Sequence, residues 1–540
     1  STRSSSYSES TVPSGSQPLL PNNTLVAILM PKHLQVAVLC FCMIAAQSFL
    51  VRHSATTTAT RTITARRSTS FAKRLLMSSS SLPNNNENLV IIIAGPTGVG
   101  KSDVAAKICA INRGMIVSAD SVQAYRGVQI GANKPTLSER QETPHLLVDM
   151  VDAPDQYNAA GWRRDALSCI DSLLQREDAD DDGEVNPKLP QLKKEIADAK
   201  QLKGYKDDDM IRPVVVGGTM MYLQWLVHGR PDATRPTEQA IQKAQKDIQV
   251  FQDQPESDGW ENAIAHVSSL NPIFEARVQK LCGKDWYRLR RTMEIAYTVL
   301  DRDEPAMIES LYSGEREGGL ESFGYDVRCI FLCPSDRMEH ASIVDQRCEE
   351  MILRGLFQET TDLEVAGLLP DMATKAIGYR QVLDYLQRPD AKYDDADSFD
   401  SFLNDFSTAT RRYAKKQMQW FRKDDKFAFV PVSLQDTKSD RVEMTAKMVQ
   451  ELCQLSRQDY EAALESKDAS EKVPLSYETR LANEAQGKKM KFYQFQRYKL
   501  KKGSKEFETT LQHADECTAR IKEYQDQKGE DSSEKRPRLL

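Results

Sequence analysis

Residues 89–94 read Leu-Val-Ile-Ile-Ile-Ala, six apolar positions with no polar break. An unbroken, β-branched run of that length predicts a strand buried on both faces, as in a parallel sheet. Met115-Ile-Val-Ser-Ala, Arg212-Pro-Val-Val-Val-Gly217 and Cys329-Ile-Phe-Leu-Cys333 repeat the pattern. The first run leads into a glycine-rich turn and then into helical composition, and the Arg212–Gly217 run repeats that crossover. The pattern predicts an α/β protein. From about Asp232 to Tyr325 the period changes: Trp260, Ile264, Val267, Phe274 and Val278 recur at helical spacings.

Two stretches lack a folding pattern. Roughly Arg176 to Asp209 is densely charged around Asp178-Ala-Asp-Asp-Asp-Gly and predicts an acidic surface loop. Residues 1–88 read as a targeting leader. No acid occurs between Glu9 and Glu87, while Arg52, Arg61, Arg66, Arg67, Lys73 and Arg74 lie in a Ser/Thr/Ala background. The apolar segment Leu34–Ala46 is shorter than the about 20 residues a membrane span needs. With Met30-Pro-Lys-His before it and Ala45-Ala46 at its end, it fits a signal peptide followed by a transit peptide. With Phe49 near the junction, the combination resembles the bipartite plastid leaders of algae with complex plastids. A plastid or mitochondrial destination is expected, without a stable membrane span in the mature protein. Translation from Met77 would instead give a cytosolic or nuclear product.

Composition narrows the class. The chain has 540 residues, 40% hydrophobic and 28% charged, which describes ordinary globular structure with room for several domains. Ten cysteines without a C-x-x-C pair argue against a disulfide framework or zinc ribbon. Seven histidines without an H-x-x-x-H exclude a zincin site. The net charge of −6 argues only weakly against nucleic acid, because an average hides segregated patches.

The first chemical motif follows the first strand. Gly95-Pro96-Thr97-Gly98-Val99-Gly100-Lys101-Ser102 matches G-x-x-x-x-G-K-[ST] between a strand and a helix. Glycines let backbone N–H groups turn toward phosphate oxygens, and the helix N-terminus adds positive potential. Lys101 would neutralise a terminal phosphate, and the Ser102 hydroxyl suits Mg²⁺. Kinases, hydrolases and transferases share this cradle, so it does not name the phosphate compound.

Six further blocks follow in order: Asp120-Ser121-Val122-Gln123-Ala-Tyr125-Arg126-Gly127; Gly217-Gly218-Thr219-Met-Met-Tyr222; Asp285-Trp-Tyr287-Arg288-Leu-Arg290-Arg291; Asp345-Gln-Arg347 to Gly355; Ala376-Ile-Gly378-Tyr379-Arg380-Gln381; and Thr410-Arg411-Arg412-Tyr-Ala-Lys415-Lys416-Gln417-Met-Gln-Trp420. Together with the glycine loop they resemble the tRNA dimethylallyltransferase (isopentenyltransferase) family over about residues 89–432. The resemblance implies a P-loop NTPase-like parallel sheet flanked by helices, with residues 89–231 and 326–432 as core. Residues 232–325 would be a small α-helical insertion domain over the tRNA anticodon stem.

It also implies the reaction: a dimethylallyl group moves from dimethylallyl diphosphate to N6 of adenosine 37, with Mg²⁺ at the diphosphate. Gly95, Thr97, Gly98, Val99, Gly100, Lys101 and Ser102 would hold the donor. Asp120 would be the general base, Thr97 would bond the leaving oxygen and Arg347 would be a second cation. On the residues alone, Asp120 also reads as a carboxylate that holds Mg²⁺ through a bound water, or as a helix cap. Contacts to the anticodon stem-loop would come from Asp120, Ser121, Val122, Gln123, Thr219, Tyr287, Arg288, Arg290, Arg291, Lys375, Gly378, Tyr379, Arg380, Arg411, Arg412, Lys415 and Lys416. The Arg288/Arg290/Arg291 and Arg411/Arg412/Lys415/Lys416 clusters also read as solvated helix faces, though both fall inside the resembling blocks.

Residues 433–540 lie beyond the resemblance. Cys453, Cys517 and His513 lack ligand spacing, so neither a zinc finger nor zinc is expected. Lys488–Lys502 interleaves cations with aromatics, which suits either RNA contact or a solvated amphipathic helix. A monomer is expected. The competing functions are an adenylate isopentenyltransferase making free cytokinin and a small-molecule P-loop kinase.

Overall fold

The computed structural model describes residues 87–531, apart from residue 154 and the stretches 177–185, 232–235, 255–257, 282–283, 303–315, 389–395 and 473–486. The leader up to residue 86 and the acidic run at 178–183 lie outside the described residues. No described helix is long and apolar enough to cross a membrane.

The four apolar runs become strands: β1 (Leu89–Ala94), β2 (Gly114–Ala119), β4 (Arg212–Gly217) and β7 (Asp326–Pro334). With β3 (His145–Leu146) and β8 (Phe427–Val432) they form a six-stranded sheet ordered β3-β2-β4-β1-β7-β8, every pair parallel. Central strands of such a sheet have no polar face, which is why β1 and β2 are buried at every position. Helices cover both faces. Those used below are α1 (Lys101–Asn112), α2 (Ala159–Leu174), α3 (Leu189–Leu202) and α4 (Met220–His228) in the first half. The insertion holds α5 (Glu238–Gln252), α6 (Gly259–Leu270), α7 (Pro272–Val278) and α8 (Trp286–Arg302). The second half carries α9 (Arg337–Leu353), α10 (Leu356–Val365), α11 (Tyr379–Leu386) and α12 (Ala396–Phe421), followed by α13 (Lys438–Gln454), α14 (Arg457–Lys472) and α15 (Lys505–Asp531).

At their carboxyl ends the paired strands β4 and β2 approach very closely. A Cβ on Gly217 would lie 2.1 Å from the Ala119 carbonyl oxygen, its ladder partner residue, and backbone cannot swing aside as a side-chain tip can. Gly217→Ala is expected to destabilise the fold by about 1–3 kcal/mol, read as a lowered unfolding midpoint. An unchanged midpoint would show that the ladder relaxes freely.

Three boundaries differ from the sequence reading. Residues 189–202 are not loop: Leu192 and Ile196, one turn apart, anchor α3 in the main core against α2. Two well-spaced apolar side chains dock a helix even in a highly charged stretch. The insertion closes earlier than residue 325. A two-stranded antiparallel ribbon, β5 (Arg230–Pro231) with β6 (Arg316–Glu317), joins its ends, and Leu320 and Tyr325 already belong to the main core. Between them α5–α8 bury their own cluster, including Ile248, Val267, Phe274, Val278 and Met293.

The third difference concerns the tail. Helix α13 packs on α1, Tyr460 of α14 is buried with its hydroxyl on Cys329 of β7, and α15 packs on α10. Leu500, Phe507 and Leu511 are part of the main core. The compact unit therefore runs well past residue 432. Cys453 and Cys517 are buried in different core clusters, and His513 meets Gln358 at 3.1 Å.

Candidate active site

Strands β1, β2 and β4 end side by side, and open parallel sheets place ligands beyond those carboxyl ends. After β1 the chain turns through Gly98 and Gly100, whose φ angles of 82° and 96° are in the left-handed region that glycine adopts without strain. The loop opens directly into α1, whose N-terminal N–H groups face the same space. Lys101 lies back across the loop, its Nζ donating to the Gly95 and Pro96 carbonyls at 3.0 Å each. The Ser102 hydroxyl is exposed in the first turn of α1. Among the described residues no group of three or more His, Cys, Asp or Glu side chains is gathered for a metal.

Asp120 stands at the end of β2. Its Oδ1 accepts from the backbone N–H of Val122 at 2.9 Å and of Gln123 at 3.3 Å, which fixes the carboxylate plane. Ser121 N–H donates to Thr219 Oγ1 at 3.1 Å, tying the end of β2 to the end of β4. The Gln123 side chain is engaged inside the protein, accepting from Ser118 Oγ and donating to the Ala132 and Asn133 carbonyls.

Arg347 comes from α9, whose His340, Ile343 and Val344 lie against the loop at Gly98, and it is within electrostatic reach of both Lys101 and Asp120. Burial, then the Arg347 charge, lowers the Lys101 ammonium to about 8, and Asp120 pulls the other way. A bound diphosphate favours the protonated form, so above about pH 8 the free protein must take up a proton to bind it. For a diphosphate donor kcat/KM is expected to fall above about pH 8, by up to about tenfold per unit. Lys101→Arg, which keeps its charge, should flatten that limb; an unaltered limb would assign it to another group.

Three residues outside the sequence candidates complete the loop's setting. Gln417, buried on α12, accepts from Thr97 N–H at 3.0 Å and donates to the Gly218 carbonyl at 2.9 Å. It joins the phosphate loop to the end of β4. A Cβ on Gly218 would lie 2.3 Å from Gln417 Nε2, so glycine is what admits this bridge. The His340 Nε2 sits 2.9 Å from the Thr97 carbonyl, and burial holds its imidazole below the ordinary value. Tyr413 hydrogen-bonds the Gly218 carbonyl at 3.4 Å, and burial, with Asp120 next, pushes its hydroxyl above the usual range. Gln417 stands within one of the recognised blocks, but a search by charge passes over a neutral amide.

The remaining candidates divide by exposure. Tyr287, Arg288, Arg291, Lys375, Arg380, Arg412, Lys415 and Lys416 are exposed. Arg290 is half-buried beside Glu294 at 3.3 Å, and Gly378 is buried at the start of α11. Tyr379 is fully buried: its ring packs against Gly131 and its hydroxyl donates to Glu359 Oε1 at 2.6 Å. Glu359 in turn accepts the backbone N–H groups of Gln129, Ile130 and Gly131. Arg411 pairs with the buried Asp345. Those two side chains face inward, unlike the exposed cations beside them.

A family model described as IPP transferase matches residues 123–179 and 197–424, more than half of the chain. The chain belongs to the IPP transferase family. It is a prenyltransferase of that family, and residues 180–196, around the acidic run, are left out of the match. It is 30% identical to tRNA dimethylallyltransferase 9 of Arabidopsis thaliana over 423 residues, covering 73% of this chain and 80% of that relative. The tRNA dimethylallyltransferase of Protochlamydia amoebophila is 30% identical over 349 residues, 64% of this chain and 85% of its own. Among solved structures, a eukaryotic dimethylallyltransferase acting on tRNA aligns over 73% of this chain and 82% of its own. Its identity is 21% and its TM-score 0.46.

Proposed function

We propose that this IPP transferase moves the dimethylallyl group of dimethylallyl diphosphate onto N6 of adenosine 37 in tRNA, releasing diphosphate. The observation that carries the reading is a phosphate loop whose Lys101 lies within electrostatic reach of one carboxylate, Asp120, and of a second cation, Arg347. In the transfer the allylic C–O bond breaks and its electron pair leaves on the diphosphate. The N6 lone pair forms the new C–N bond, and the N6 proton passes to the Asp120 carboxylate. Oδ1 of Asp120 is held by two N–H donors, so Oδ2 is the oxygen left for that proton.

Charge grows on the leaving diphosphate as the bond breaks, and fixed cations there lower the barrier. Lys101 would swing from the Gly95 and Pro96 carbonyls to phosphate oxygens, while Arg347 would face the opposite side. The Thr97 backbone is held at both ends, by Gln417 and His340, and would present its hydroxyl to the leaving oxygen. The donor set fits Mg²⁺, which takes one or two protein oxygens beside phosphate oxygens and waters. Ser102 would hold it, and when bound it supplies further positive charge to the diphosphate.

Adenosine must leave its stack to reach Asp120, at a cost of about a few kcal/mol, less in a single-stranded loop. The exposed Tyr287, Arg288 and Arg291 of the insertion and Arg412, Lys415 and Lys416 of α12 are the proposed contacts to the stem-loop. Supplying labelled donor with either tRNA or AMP tests the acceptor: label in tRNA is expected. Label in AMP alone would favour the adenylate enzyme instead. Residues 30–90 are proposed to direct the protein to a plastid or mitochondrion; a fluorescent fusion carrying them should enter an organelle, and diffuse signal would contradict this.

A further inference from the structure

Helix α9 carries Arg347 on one side and two buried carboxylates on the other. Asp345 and Glu349 stand one turn apart, and Arg347 lies between them in sequence, half a turn round the helix. Both acids are fully buried, at 0% exposure. Neither is satisfied by α9 itself. The Asp345 carboxylate pairs with Arg411 and accepts from the Tyr493 hydroxyl at 2.7 Å. Glu349 accepts three consecutive backbone N–H groups, from Tyr498 at 3.1 Å, Lys499 at 2.6 Å and Leu500 at 3.0 Å. The Tyr498 hydroxyl also meets Ser342 Oγ, one turn before Asp345.

Tyr493, Phe495, Arg497 and Tyr498 of this stretch are thus half-buried and engaged with the protein, while the Lys499 side chain is exposed beside Glu350. Arg411 lies 5.2 Å over the Tyr493 ring, Arg497 lies 3.9 Å over Phe495 and pairs with Asp400, and Leu500 is fully buried. A strap that only covered apolar surface would not need two acids beneath it. A buried carboxylate is tolerated only where donors surround it, so α9 can sit at this depth only with the strap in place.

We propose that the strap 493–500 is a positioning element of the active site. By saturating Asp345 and Glu349 it fixes the rotation and depth of α9, and so aims the Arg347 guanidinium at the leaving diphosphate. This rests on the reading that Arg347 acts on that diphosphate. Misplacement of a catalytic group by about an ångström is enough to cost up to about a hundredfold in rate.

Two substitutions in the full-length chain break the contact from either side. Glu349→Gln keeps the volume but puts an NH₂ where N–H donors converge, and Lys499→Pro removes the shortest of those donors. Each is expected to lower kcat at least about tenfold, with the KM for tRNA unchanged. In an Arg347→Ala background neither should lower kcat further, because the residue they act through is gone. If Lys499→Pro does not fold, Glu349→Gln decides alone. The proposal is overturned if kcat stays within about twofold of the unsubstituted chain, or if the same loss recurs in the Arg347→Ala background. Arg347→Ala with normal turnover would overturn it too, and would place the error in the reading of the diphosphate site rather than in the strap.

Discussion

Asp120→Ala is expected to leave tRNA binding intact and to lower turnover by at least about a hundredfold. The carboxylate is fixed by the N–H groups of Val122 and Gln123, and no described cation forms an ion pair with it, so its removal breaks no salt bridge, although Lys101 and Arg347 lose its charge nearby. The structural consequence should therefore be small, and the chemical one large. Without Asp120 the attacking N6 has no base at hand, and water must accept the proton. Asp120→Asn would keep the two backbone bonds, so it separates a base from a cap: a pure cap survives as asparagine, whereas a base does not. Single-turnover label transfer, beside a tRNA binding isotherm, is the measurement. Turnover near normal in Asp120→Asn would remove the residue from the reaction.

Lys101→Ala should lower kcat by about 10²–10³, the usual scale for deleting one preorganised group that stabilises developing charge. The expected pattern is specific: weaker donor binding, slower transfer and unchanged affinity for tRNA. The resting ammonium rests on loop carbonyls, so its loss removes only two hydrogen bonds from the folded protein. Steady-state kinetics with each substrate varied in turn checks this. An unchanged kcat with a raised KM for the donor would mean that Lys101 helps binding alone and takes no part in bond breaking.

What the sequence made legible was chemistry carried by neighbouring residues. The phosphate loop, Asp120 and the β4 turn at Gly217-Gly218 each declare themselves within about ten positions, because a strand, a turn and a helix start share one short segment. Contacts between distant segments stayed hidden. Gln417 meets Thr97 across 320 positions and His340 meets it across 243, and neither an amide nor a lone imidazole stands out in a linear pattern. Charge runs were ambiguous for a related reason. Arg411 and Arg412 are adjacent cations, yet one pairs with a buried acid of α9 and the other is exposed. The tail shows the same limit: within one aromatic-cationic alternation the Tyr493 hydroxyl and the backbone of residues 498–500 meet two buried carboxylates, while Lys489, Lys491 and Phe492 stay exposed. The whole-chain charge of −6 says little about any of these places.

The carboxylate and the two cations are proposed to work together on one transfer from an allylic diphosphate to an adenine amine. The direct measurement uses the full-length chain, dimethylallyl diphosphate labelled in its allylic carbon, and a tRNA anticodon stem-loop carrying adenosine 37. Label on N6 of that adenosine, with one diphosphate released per label, is the predicted result. Diphosphate released without label in RNA, or label carried only by free AMP, would show that these groups do not perform that transfer.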